Sequence, residues 1–99
     1  MHGEYKTPGG KLVVVDLDVA DGKLTDVMVS GDFFLYPDDA FPALTNALEG
    51  LSVDLSESEI AEQVRMTLPR DAELLGSSPE AIAAAVRRAL AAGAEADRG

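Results

Sequence analysis

The chain has 99 residues, 46% of them apolar, with no cysteine and a net charge of −10. Length and apolar content predict one domain with a modest core. The absence of cysteine excludes a disulfide framework, a thiolate nucleophile and a cysteine-ligated metal. Excess acid excludes binding to nucleic acid, which needs clustered cations to displace counterions. No apolar run approaches the roughly 20 residues that span a bilayer, and no signal peptide is evident, so a cytoplasmic protein without a membrane partner is expected.

The first ten residues, MHGEYKTPGG, read as an extended arm or loop. His2 lies in that arm and is the only histidine, which leaves no base for a serine triad and too few ligands for zinc. TPGGKL fails as a phosphate loop, because Tyr5 and Leu12 stand where the motif needs glycine and a hydroxyl residue. Lys6 and Lys11 flank the glycine turn, either as an ordinary strand entry or within reach of an anionic group on a partner.

KLVVVDLDV and KLTDVMVSG follow, two β-branched runs around Asp21-Gly22 that predict a hairpin. A two-residue loop would set Leu17 opposite Asp26. A three-residue loop, Ala20 to Gly22, instead pairs Val19 with Lys23, Leu17 with Thr25, Val15 with Val27 and Val13 with Val29, so the three-residue loop is the expected register. Asp16 then opposes Asp26 on the outer face with Asp18 diagonal to them. That carboxylate group is expected to be solvated surface, although such oxygens can hold a hard cation or receive a partner's lysines.

GDFFLYPDD holds three of the five aromatics and predicts a third short strand, DFFLY, entered at Gly31 and stopped by Pro37. Period-2 alternation sends Phe33 and Leu35 to one face and Phe34 and Tyr36 to the other. One pair belongs to the core and the other is free for a partner; alternation does not say which. Asp38 or Asp39 is expected to cap a helix with Pro42 in its first turn, a stripe of Phe41, Leu44 and Leu48, and a stop at Gly50. After the link 51–55, Ser56-x-x-Glu59 is a capping box for a second helix with Ile60, Val64 and Leu68 on one face and a stop at Pro69. RDAELLGSS reads as a loop with a small apolar clip, Leu74-Leu75. Ser78-Pro79 starts a third helix with Ile82, Val86 and Leu90 inward. Residues 91–99 are expected to fray, leaving a domain of residues 1–90. Residues 37–62 carry seven acids and no base, which reads as a solvated helical surface, or else as docking charge for a basic partner. The order β-β-β-α-α-α makes an α+β domain, a three-stranded antiparallel sheet covered by about three helices, with open edges that invite a partner.

GDFFLYPDD, placed between a hairpin and a helix, resembles the GDFF junction of the C-terminal accessory domain of lipoate–protein ligases. HGEYKTPGGKLVVVDLDV is similar to the opening of that domain when it is a separate small subunit, and ALEGLSVD to its first helix end. The resemblance is good over residues 2–66 and loose beyond. It implies a fold of the SufE/NifU type and a non-catalytic accessory subunit of a split ligase. A large subunit related to biotin ligases would hold lipoate, ATP and magnesium, this chain binding none of them alone. The pair would form lipoyl-adenylate and transfer the lipoyl group to a lysine of transiently bound acceptor proteins. Candidate interface residues are Lys6, Lys11, Gly31, Asp32, Phe33, Phe34, Tyr36 and Pro37. The alternative is a stand-alone protein-binding adaptor with no role in ligation.

Overall fold

A computed structural model describes residues 1–7, 10–36 and 40–98, the last five of these for backbone alone. The elements are β1 (His2–Lys6), β2 (Leu12–Ala20), β3 (Lys23–Gly31), β4 (Phe34–Tyr36), α1 (Phe41–Leu48), α2 (Glu57–Thr67), β5 (Glu73–Leu75) and α3 (Pro79–Arg98). Strands β1, β2 and β3 form a three-stranded antiparallel sheet in that order, and β4 pairs with β5 in a separate ribbon. The α+β arrangement of a three-stranded antiparallel sheet with three helices therefore stands. Its third strand is different from the expected one.

The N-terminal arm is not a loop. It is β1, paired with β2 from His2↔Asp16 to Lys6↔Leu12. Its inward positions are Gly3 and Tyr5, so the apolar alternation that marks a strand is missing from the sequence. DFFLY does form a strand, shortened to residues 34–36, but its partner is β5, which lies in the stretch expected to be a loop.

The hairpin register also differs from expectation. Asp21 and Gly22 have φ of 54° and 73°, the paired positive values of a type I′ two-residue turn, and Ala20 pairs with Lys23. The pattern Val19↔Leu24, Asp18↔Thr25 would carry Asp26 onto the core face opposite Leu17. A β-bulge prevents this. Pairing resumes at Asp16↔Met28 and Val15↔Val29, so β3 holds one extra residue, and Asp26 sits at a φ of 50°. Asp26 turns outward while Val27 and Leu17 are buried. The Val27 N–H donates to Glu49 Oε1 at 2.7 Å, which caps the sheet edge at the bulge. Asp16 thus faces Met28 rather than Asp26, and among the described residues no group of three potential ligands could hold a metal.

The starts of α2 and α3 are as the local signals predict, and that of α1 is not. Ser56 and Glu59 form a complete capping box on α2, and the Ser78 hydroxyl accepts from the Ala81 N–H at 3.1 Å at the start of α3. Pro42 lies in the first turn of α1, whose N-cap is Ala40 without a side-chain cap; Asp38 and Asp39 are outside the described residues. Leu44 and Leu48 are buried, with Phe41 packed partly against the core. Helix α3 is assigned as far as Arg98, with alanine, the strongest helix former, prominent in its last turns. Among the described residues no helix is long and apolar enough to cross a membrane.

The core lies between the sheet, α1, α2 and α3. In α3 every residue from Ala81 to Val86 is buried. Small side chains let β1 and β2 approach on one side and α2 on another. At Gly3 the approach is closest: a Cβ there would collide with the Ala85 carbonyl oxygen and the Ala89 nitrogen. Arg88 donates to the Glu4 carbonyl at 3.0 Å and lies 5.0 Å over the Tyr5 ring, so β1 is held to α3 at its edge as well. Gly3→Ala is expected to destabilise the fold by about 2 kcal/mol or more through overpacking, measured by urea unfolding.

On the outer face of the sheet His2 stands between two carboxylates. Its Nδ1 is 2.7 Å from Asp16 Oδ1 and its Nε2 is 2.6 Å from Glu4 Oε2. The hydrogen bond to Glu4, then that to Asp16, raises the imidazole above its ordinary 6.5, because only the imidazolium can donate to both. A raised folded-state value means that this cross-strand contribution is fully present below pH 6.5 and is lost as pH rises through the higher folded value. The stability difference between the wild type and His2→Gln should therefore be largest at pH 6 or below and shrink toward alkaline pH, as read by urea midpoints across pH.

Candidate partner-binding surface

The four residues 33–36 are divided by the pleat. Phe33 and Leu35 are 5% and 2% exposed, whereas Phe34 and Tyr36 are 61% and 48% exposed. Phe33 is fixed inward by stacking on Phe41, with ring centroids 5.8 Å apart and planes at 24°. The open alternative is thereby resolved: Phe33 and Leu35 are core, and Phe34 and Tyr36 are surface. Phe33, one of the interface candidates, is covered by the chain itself.

The surface pair is organised. Phe34 and Tyr36 stack with centroids 6.4 Å apart at 21°, as two same-face residues of one strand can do. The register Phe34↔Leu75, Leu35↔Leu74, Tyr36↔Glu73 sets Leu75 beside Phe34 on the same face, 46% exposed. A two-stranded ribbon has one face for the core, here Leu35 and the half-buried Leu74, and leaves the other uncovered.

Other sequence candidates gather at the same end of the fold. The Lys11 N–H donates to the Gly76 carbonyl at 3.1 Å, and the Lys11 stem packs against Gly76. The Asp32 N–H donates to Leu12 O at 3.1 Å, just beyond β3. Gly31, with a φ of 146°, sits so close to the Leu12 carbonyl that no side chain fits. Lys6 pairs with Leu12 at the neighbouring strand end. Neither lysine forms an ion pair among the described residues. Pro37 lies outside the described residues. Leu75 and Gly76 were missed as contributors; the Leu74-Leu75 doublet was the available signal, but three residues are too few to announce a strand.

The surface offers stacked aromatic faces, aliphatic area, one phenolic hydroxyl and the flanking charges of Lys11, Asp32 and Glu73. Large rigid side chains of this kind can bury area against another surface at low entropic cost. Phe33→Ala is expected to lower stability by about 3 kcal/mol or more as a core truncation. The double change Phe34→Ala/Tyr36→Ala should shift it by less than about 1 kcal/mol, since both rings are largely in solvent. Urea unfolding of the two variants distinguishes the roles.

No protein-family model matches the sequence. Among curated proteins the chain is similar to Lipoate-protein ligase A subunit 2 of Thermoplasma acidophilum, 37% identical over 43 residues. That match covers 43% of this chain and 46% of the relative, so it spans about half of the relative's length. Among solved structures it is similar to a chain from an archaeal lipoylation system of the same organism, described as a bi-partite lipoate protein ligase and its E2 lipoyl domain. The TM-score is 0.71 at 28% identity, covering 88% of this chain and 93% of the other. The sequence likeness and the fold likeness thus both lead to a two-part lipoate–protein ligase system.

Proposed function

We propose, from a sequence likeness to a ligase subunit 2 and a fold likeness to a chain of a bi-partite ligase system, that this chain is the non-catalytic accessory subunit of a two-part lipoate–protein ligase. The observation that carries the reading is the exposed, mutually stacked Phe34–Tyr36 pair with Leu75 beside it, an apolar surface that the domain does not cover itself. The expected occupant is a large subunit related to biotin ligases. Lipoate, ATP and magnesium would be held there, with the two chains working in the cytoplasm. Docking would exclude water and hold the large subunit's binding loops in the arrangement that forms lipoyl-adenylate. Transfer to an acceptor lysine would follow through the complex. A resemblance of the fold to the SufE/NifU type is part of the same proposal.

The reading is tested by mixing purified large subunit with and without this chain and measuring lipoyl-adenylate. Adenylate should accumulate only in the mixture. Phe34→Ala/Tyr36→Ala should weaken the complex by about 2 kcal/mol or more, roughly 30-fold in Kd, while the variant stays folded. Equal adenylate with and without the chain contradicts the role. Binding without any change in adenylate formation would favour an adaptor instead.

A further inference from the structure

On the β1 side of α3 lies an open cavity of about 320 Å³. Its charged lining is Arg87 and Arg88 on α3, with Glu57 and Glu80 on the helix starts. Glu80 is committed to an ion pair with Arg65. The two arginines have no carboxylate partner among the described residues: Arg87 Nη1 donates to the Val53 and Leu55 carbonyls at 2.8 and 3.4 Å, and Arg88 Nη1 to Glu4 O at 3.0 Å. In a chain of net charge −10, two arginines lining one cavity with no ion-pair partner among the described residues are an exception that asks for an anion. Thr7 lines the same cavity, and its hydroxyl is buried with no hydrogen-bond partner.

We propose that this cavity is a receiving site for a single carboxylate on a short apolar stem, a site separate from the aromatic surface. A guanidinium fork matches a carboxylate, and the Thr7 hydroxyl supplies a further donor. Ala81, Ala84 and Ala91 line the cavity with small methyl groups that accept an aliphatic stem. The Glu57 carboxylate sets the charge class, because it repels a dianion about twice as strongly as a monoanion. The carboxylate arrives either as a free short-chain acid or as an acidic side chain, and the two sources share this chemistry.

The test uses the Nε–Hε NMR signals of the arginines in the full chain, titrated with sodium butyrate against sodium chloride at equal ionic strength. Saturable shifts at Arg87 and Arg88 with butyrate, absent with butylammonium, are expected. Glu57→Gln should tighten butyrate several-fold by removing the internal competitor, and Thr7→Val should weaken it several-fold. N-acetylglutamate N-methylamide is the second arm: saturable binding of either probe supports the site, and the tighter one names the source. Shifts that merely follow chloride, tighter binding of inorganic phosphate than of butyrate, or a Glu57→Gln variant with unchanged affinity would overturn the proposal.

Discussion

The contact between β1 and α3 governs the arrangement of everything else. A helix buried from Ala81 through Val86 must be approached from more than one side, and only small side chains allow this at backbone distance. Gly3 completes the approach from β1, and the pairing of β1 with β2 then fixes the sheet over α3. With one face of the sheet committed to the helix, the other faces solvent, where His2, Glu4 and Asp16 replace apolar packing by hydrogen bonds. Strand β4 cannot join this sheet, because β3 ends at Gly31 against the Leu12 carbonyl and the chain turns away. The aromatic ribbon and its uncovered face follow from that turn.

What could be read from the sequence was local. The Ser56–Glu59 capping box, the Ser78-Pro79 helix start, the existence of a hairpin at Asp21-Gly22 though not its loop length, and the Leu44, Ile60, Val64, Ile82 and Val86 stripes are set by neighbours within one or two turns. What could not be read was non-local. Strand β1 has a glycine where a strand shows an apolar residue, since its partner is a helix backbone rather than a side-chain pocket. The bulge at Asp26 resolves a conflict between turn chemistry and hydrophobic register that pairing rules alone settle the other way. Strand β5 is defined by its pairing with β4 from across the chain. For the aromatic site, alternation defined the two pairs, but the position of Phe41 decided which one is inward.

The acidic stretch of residues 37–62 has a second use besides solvation. Glu49 receives the Val27 N–H at the bulge, and Glu59 receives the Ser56 N–H at 3.0 Å in the capping box. Hydrogen bonds from the Ser56 backbone and then its hydroxyl hold Glu59 below the ordinary carboxylate range. These carboxylates satisfy backbone donors at an element edge or end. The aromatic face of the ribbon contrasts with them, because nothing within the described domain requires Phe34 and Tyr36 to be apolar.

The account therefore rests on the ribbon being covered by a second protein, and amide hydrogen exchange with and without the proposed large ligase subunit tests this most directly. Slowed exchange in the complex is predicted at residues 34–36 and 73–76, with the outer face of the β1–β3 sheet unchanged. A complex that leaves the ribbon amides exchanging at their free rate, with protection elsewhere, would contradict it.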